Sequence, residues 1–363
     1  TAFDGTETRT AEDIDIFADT YLDMTNAYTE PLLTNYYGEA LHVRFNELCN
    51  FIFDAYLHST YPENELKKER GAIKGEIRGS LDDDSHQVYF ALHRMLWKKN
   101  PLRRMGVRGT IGDIKKVSRE LLLQIKEQWL VPSNTVIIGT GRINHDELVR
   151  NAYRAFPFNK VIVSHPIWDL EFPDPPIKIR TLISRPGRKN ALIAAACKVG
   201  LPSDHQRVVI NILYNMFVGG ESTILNRELR RRRGWTYSTW GDWNGFKRLG
   251  YFLSFGTEMD PAQLQEGENL LREILFDFPL DPALFMRTRE WLIEHMILNF
   301  EFPSAWESAI LSCIIDNGKP LAHLNDYVHK CKEQLTHITF DEVRAMRNKL
   351  LRPETMAFAI LKP

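Results

Sequence analysis

The chain has 363 residues, enough for two domains with separate cores, and its 44 % hydrophobic and 26 % charged residues are the balance of an ordinary soluble globular protein. With 46 Lys and Arg against 47 Asp and Glu the net charge is −1, which leaves no electrostatic case for nucleic acid or an anionic membrane as partner. No apolar run approaches the ~20 residues that span a bilayer. The four cysteines (Cys49, Cys197, Cys313, Cys331) form no C-x-x-C pair, so they read as reduced thiols of an intracellular compartment rather than a disulfide framework.

In chain order, residues 7–20 predict a helix with Thr10 as N-cap and Asp13 three positions on. Two strands, 24–30 and 32–41, follow around a turn, and then a helix over 43–57 with apolar residues at helical spacing. The next helix, 61–80, has Pro62 near its start, Glu63 and Glu65 in its first turn and Gly79 at its end. On it Glu69 and Glu76 stand seven residues apart, which returns to within about 20° of the same direction. Two acids beside Ile73 on one face call for a partner, either a neighbouring cation or a metal. Helices over 85–98 and 113–130 and a strand at 135–139 complete the first half.

The proline-rich stretch from Phe156 to Pro176 reads as the domain boundary, dividing the chain into a first domain of 1–160, a linker of 161–176 and a second domain of 177–363. The second half opens with a buried strand (190–197) and an apolar helix (204–218). Gly219-Gly220, a helix over 222–233 and a strand pair through Tyr237 and 251–255 come next. Long helices near 261–277 and 282–299, a helix over 341–351 and a strand at 355–361 close it. The halves repeat each other. At a shift of 221, Val117, Ser118, Glu120 and Pro132 match Ile338, Thr339, Asp341 and Pro353. At a shift of 218, Glu76 meets Glu294 but Glu69 meets Arg287, so the acidic pair belongs to the first half alone. A period this long means a duplicated domain, and strand pairs mixed with long helices mean an α+β fold: two homologous domains, each an antiparallel sheet covered by helices.

Seven elements then stand in one order: Phe3-Asp4-Gly5-Thr6, Asn26-Ala27-Tyr28-Thr29, Tyr36-Tyr37, Glu69-Arg70 through Glu76, Gly219-Gly220, Leu229-Arg230 through Gly234 and Tyr237, and Phe278-Pro279. This series resembles the pitrilysin/insulinase-type metallopeptidases, the inverted zincins whose signature is H-x-x-E-H. The 363 residues contain no H-x-x-E-H; Trp291 through Glu294-His295 lacks the first histidine and reads as ordinary helix. The resemblance puts the family's signature helix immediately before Thr1.

The resemblance implies a zinc-dependent metalloendopeptidase subunit acting on peptides or unfolded polypeptide. Zn2+ would be held by two histidines of the signature helix and by Glu76, with Glu69 orienting the cluster. Asn26, Ala27 and Tyr28 match the strand edge to which a peptide substrate adds. Arg230 matches a residue that holds a substrate carbonyl, and Tyr237 one that stabilises the oxyanion. The four arginines 230–233 have a second explanation, complementing a helix C-terminus. Without the histidine pair the chain is expected to be inactive alone. The alternative is a non-catalytic partner or scaffold subunit of the same family. Either way the resemblance implies a homo- or heterodimer with another family half.

Overall fold

The computed structural model describes residues 2–104, 109–157, 176–247, 249–317 and 324–363. The expected linker 161–176 lies, but for Pro176, outside the described residues. The element order is α1 (Ala11–Tyr21), β1 (Met24–Thr29), β2 (Thr34–Glu39), α2 (Phe45–His58), α3 (Glu63–Asp82), α4 (Asp84–Leu96), α5 (Ile111–Ile114), α6 (Arg119–Trp129) and α7 (His145–Ala155). It continues with β3 (Arg180–Ser184), β4 (Ala191–Gly200), α8 (Asp204–Phe217), β5 (Thr239–Phe246), β6 (Gly250–Met259), α9 (Leu264–Phe276) and α10 (Pro282–Asn299). Last come α11 (Pro303–Asn317), α12 (Leu324–His337), α13 (Phe340–Leu350) and β7 (Met356–Lys362). The fold is α+β, and the chain forms two compact units: one from 1–79, 106–167 and 306–311, the other from 80–105, 168–305 and 312–363.

The first unit is built on the β1–β2 hairpin, paired antiparallel from Met24↔Glu39 to Thr29↔Thr34. One face of the hairpin lies on α2. A Cβ on Gly38 would come within 2.8 Å of Leu48 Cδ1, so any other residue there would make that side chain shift. On the same face the Tyr36 ring meets Tyr56 edge-on at 5.1 Å. Cys49 and Phe53 of α2 pack with Phe156, and Ile137 joins them.

The second unit holds a five-stranded sheet in the order β3-β7-β4-β6-β5, antiparallel except for the β3–β7 edge pair. Alternation along the strands divides its two faces. Ile193, Ala195, Cys197, Leu253, Phe255 and Phe358 face a core shared with Leu213 and Phe217 of α8, Leu271 of α9 and Val343 of α13. The opposite face receives α4, whose His93 ring meets Phe252 at 4.4 Å.

Four expectations are corrected. Gly79 does not end α3, which runs to Asp82; the next helix begins only where the Asp83 side chain accepts the His86 N–H. The helix expected over 113–130 is two, because both Thr110 and Ser118 act as N-caps, accepting from Asp113 and Leu121. Residues 135–139 join no ladder among the described residues: Ile137 is held by the α2 cluster while Val136 is 53 % exposed. Tyr237 precedes β5 rather than lying in it. The repeat is visible in the elements: α6 and α13 both have 11 residues and stand 221 positions apart at each end.

Candidate functional site

On α3 the buried stripe is Leu66 and Ile77, with Ile73 half-buried between them. At about 100° per residue, Glu69 and Glu76 fall roughly 60–80° to one side of it. They therefore flank the apolar line, Glu69 half-buried and Glu76 exposed. The Arg70 guanidinium pins the helix by donating to the Val117 carbonyl at 3.0 and 2.6 Å. A catalytic zinc needs three protein ligands. Among the described residues no group of three or more His, Cys, Asp or Glu converges to hold a metal, so the residues present do not fit zinc by themselves.

The hairpin offers something more definite. The Glu30 N–H donates to the Leu33 carbonyl at 2.8 Å, which makes 30–33 a hydrogen-bonded pair. Antiparallel alternation then puts Tyr28, Asn26 and Met24 in hydrogen-bonded pairs with β2, and turns the amides of Thr25, Ala27 and Thr29 to the other edge. Among the described residues no strand pairs with that edge. The Ala27 N–H is held instead by the Asn26 side chain, whose Oδ1 accepts it at 2.8 Å. Asn26 and Tyr28 point away from α2, and the Tyr28 hydroxyl accepts from Asn35 Nδ2 at 3.1 Å. Asn26, Ala27 and Tyr28 are thus brought together on one open strand.

In the second unit, Gly219 (φ +104°) and Gly220 lead into a π-helical stretch, Asn226–Arg231. It ends at Gly234 (φ +66°), a left-handed position that a side chain would strain. Glu228, 2 % exposed, ties down three of the arginines: Arg227 at 3.2 Å, Arg232 at 2.9 Å and Arg233 at 3.3 Å. Arg230 and Arg231 go elsewhere, to the exposed Glu221 at 2.7 and 3.2 Å. Hydrogen bonds from both hold that carboxyl below the usual range. Arg230 also lies 5.1 Å from the centroid of the Tyr237 ring, which is 85 % exposed. The arginine run is therefore divided between anchoring and a surface pair, Arg230 with Tyr237. Glu221 and Glu228 escaped the sequence reading, although the i, i+4 spacing of Glu228 and Arg232 was the available signal.

A family profile described as "Insulinase (Peptidase family M16)" matches residues 1–108, and one described as "Peptidase M16 inactive domain" matches 116–278. An uncharacterized zinc protease of Bacillus subtilis is 26 % identical over 99 % of this chain and 86 % of its own length. A similarly named protein of Streptomyces coelicolor is 26 % identical over 75 % of this chain, which spans only 60 % of that relative. Among solved structures, a protease from Helicobacter pylori superposes with a TM-score of 0.83 at 16 % identity, over 100 % of this chain and 87 % of that one, a likeness of fold. Its sequence profiles and relatives agree with its architecture: the chain belongs to the insulinase-type peptidase family, M16.

Proposed function

We propose that this chain is the peptide-holding part of a zinc-dependent metalloendopeptidase subunit, taking an extended polypeptide segment along β1. The observation that carries the reading is the open edge of β1, where the Ala27 amide faces away from β2 and is occupied only by its neighbour's carboxamide. A peptide strand added there would displace the Asn26 side chain and take that N–H in a backbone hydrogen bond. Asn26 and Tyr28 would flank the peptide's side chains. Arg230 would hold a substrate carbonyl, and the exposed Tyr237 hydroxyl would donate to an oxyanion. Glu76 would be a single zinc ligand oriented by Glu69. The chain's own residues account for binding and not for bond cleavage. The division into homologous domains 1–160 and 177–363, and pairing with a second family half, identical or not, belong to the same reading.

A second reading is a non-catalytic partner or scaffold subunit. It is favoured by the exposed position of Glu76, which belongs to no group of three or more ligating residues among those described. One experiment separates the two. Binding of an unstructured peptide is measured for the chain and for Ala27→Pro, which deletes the outward N–H and leaves the β2 ladder intact. Zinc content and cleavage are then measured with an H-x-x-E-H segment joined upstream. Peptide binding lost in Ala27→Pro, with one zinc per chain and cleavage that Glu76→Gln abolishes, supports the peptidase. Binding without zinc or cleavage leaves the partner subunit, and no binding at all refutes the peptide-holding role.

A further inference from the structure

A cleft of about 420 Å³ lies on the second unit, lined by α4, Arg103 and the segment that leads into the edge strand β3. Three cations line it, Arg94, Arg103 and Lys178, and none of its described lining residues is acidic. Arg103 spends one nitrogen on backbone carbonyls, those of Arg94 at 3.0 Å and Trp97 at 2.7 Å. Lys178 donates to the Thr181 hydroxyl at 3.2 Å. None of the three enters an ion pair among the described residues, although this chain pairs most arginines of its second unit with carboxylates. Like charges gathered around a concave surface, with no counter-charge among its described lining residues, make a local positive potential that favours an anion. Met95, Ile177 and Ile183 give the same cleft an apolar wall.

The strand beside it is open. The Phe358 N–H donates to the Ile179 carbonyl, and the Arg185 N–H to the Lys362 carbonyl, both at 2.8 Å. Odd-numbered residues of β3 therefore face β7, and the N–H and C=O groups of Arg180, Leu182 and Ser184 point outward, where no described strand pairs with them. Thr181 and Ile183 turn their side chains to the cleft.

We propose that the cleft binds the C-terminal carboxylate of an extended polypeptide that adds to β3 as a sixth strand. The outward backbone groups of β3 pair with the peptide. The cations take its terminal carboxylate, and the apolar wall takes a side chain near its end. This site is separate from the β1 edge and does not rest on the function proposed for it.

The test is fluorescence anisotropy with one labelled unstructured peptide, made with a free C-terminus and as its amide, on the 363-residue chain. Two exposed charge contacts and one half-buried one, Arg103, lead to about a five- to tenfold preference for the free acid, diminishing with salt. Arg94→Gln and Lys178→Gln each reduce that preference, and together they cut it to the part that Arg103 supplies. Leu182→Pro or Ser184→Pro removes an outward N–H without touching the β7 ladder, and each weakens binding at this site for both peptides. Equal affinity for acid and amide overturns the proposal, as does a preference undiminished in the double glutamine variant. If inorganic phosphate competes with the free acid while both proline variants bind as the parent does, the cleft is a small-anion site and strand addition is refuted.

Discussion

Glu268 on α9 holds the edge strand β3 to the body of the second unit through Arg180, and it also pairs with Arg272 of its own helix. Its Oε1 accepts from Arg180 Nε at 3.0 Å and Arg272 Nη2 at 2.8 Å, and its Oε2 accepts from Arg180 Nη2 at 2.9 Å. Arg272 in turn lies 3.8 Å from the centroid of the Phe358 ring. The carboxylate is buried, 5 % exposed, so Glu268→Gln removes a buried charge that balances two guanidiniums. Removing one partner of a fully buried pair costs about 3–5 kcal/mol. Here the Arg180 and Arg272 side chains are 47 % and 32 % exposed and can rehydrate, which lowers the figure to about 2 kcal/mol. For a unit of this size that is a Tm lower by roughly 4–8 °C, read by circular dichroism. The exposed Glu273→Gln on the same helix is the control and stays within about 0.5 kcal/mol.

The pH dependence gives an independent check. Burial works to raise the Glu268 pKa, but the hydrogen bonds from Arg180 and Arg272 outweigh it and hold the carboxyl below its ordinary value. A depressed carboxyl stabilises the fold above its unfolded pKa of about 4.3, and the contribution is lost as pH falls through the folded value. The Gln variant therefore loses stability at neutral pH and converges with the parent in acid. A variant as stable as the parent at pH 7, or a difference unchanged in acid, would refute the argument.

Two further perturbations follow. Val343→Ala on α13 removes a fully buried side chain and costs about 2 kcal/mol, while its repeat counterpart Leu122→Ala, half-buried on α6, costs less although it deletes more atoms; urea unfolding ranks the pair, and the reverse order contradicts the burial argument. Burial pushes the His93 imidazole down to about 3, with the Leu102 carbonyl acting the other way. The unfolded chain thus takes up a proton near pH 6.5 that the folded chain refuses, and stability falls as pH drops from about 6.5 towards 3. His93→Gln reduces that slope by about one proton in the same window; an unchanged slope means the imidazole is not excluded from protonation.

A helix announced by its cap was legible in the sequence: Thr10 with Asp13 starts α1 as a capping box, while α8 was read from its apolar run and its own box, Ser203 with Gln206, went unread. The strands of the second unit were legible where they are buried on both faces, as Ala191–Cys197 is. What failed was decided by tertiary context. Residues 135–139 have the composition of a strand, but a strand exists only with a partner. The helix at 145–155 was passed over despite Asn144, whose Oδ1 accepts from both Asp146 and Glu147. The short edge strand β3 and the helices α11 and α12 were passed over as well. α11 has apolar residues all round and none fully buried among those described, so periodicity could not assign it a face. For the site, spacing correctly put Glu69 and Glu76 on one side of α3 but could not tell the buried stripe from its exposed flank. The division of the arginine run between Glu228 and Glu221 depends on which carboxylate is buried, and a list of residues does not contain that.

The peptide-holding role is tested most directly by backbone amide hydrogen exchange along β1, with and without an unstructured peptide. Thr25, Ala27 and Thr29 face the open edge and should gain protection when the peptide binds, Ala27 most of all as it exchanges the Asn26 side chain for a strand. Met24, Asn26 and Tyr28 already pair with β2 and should change little. That alternation is the result the account expects. Uniform protection, or none at Ala27 under saturating peptide, would contradict it.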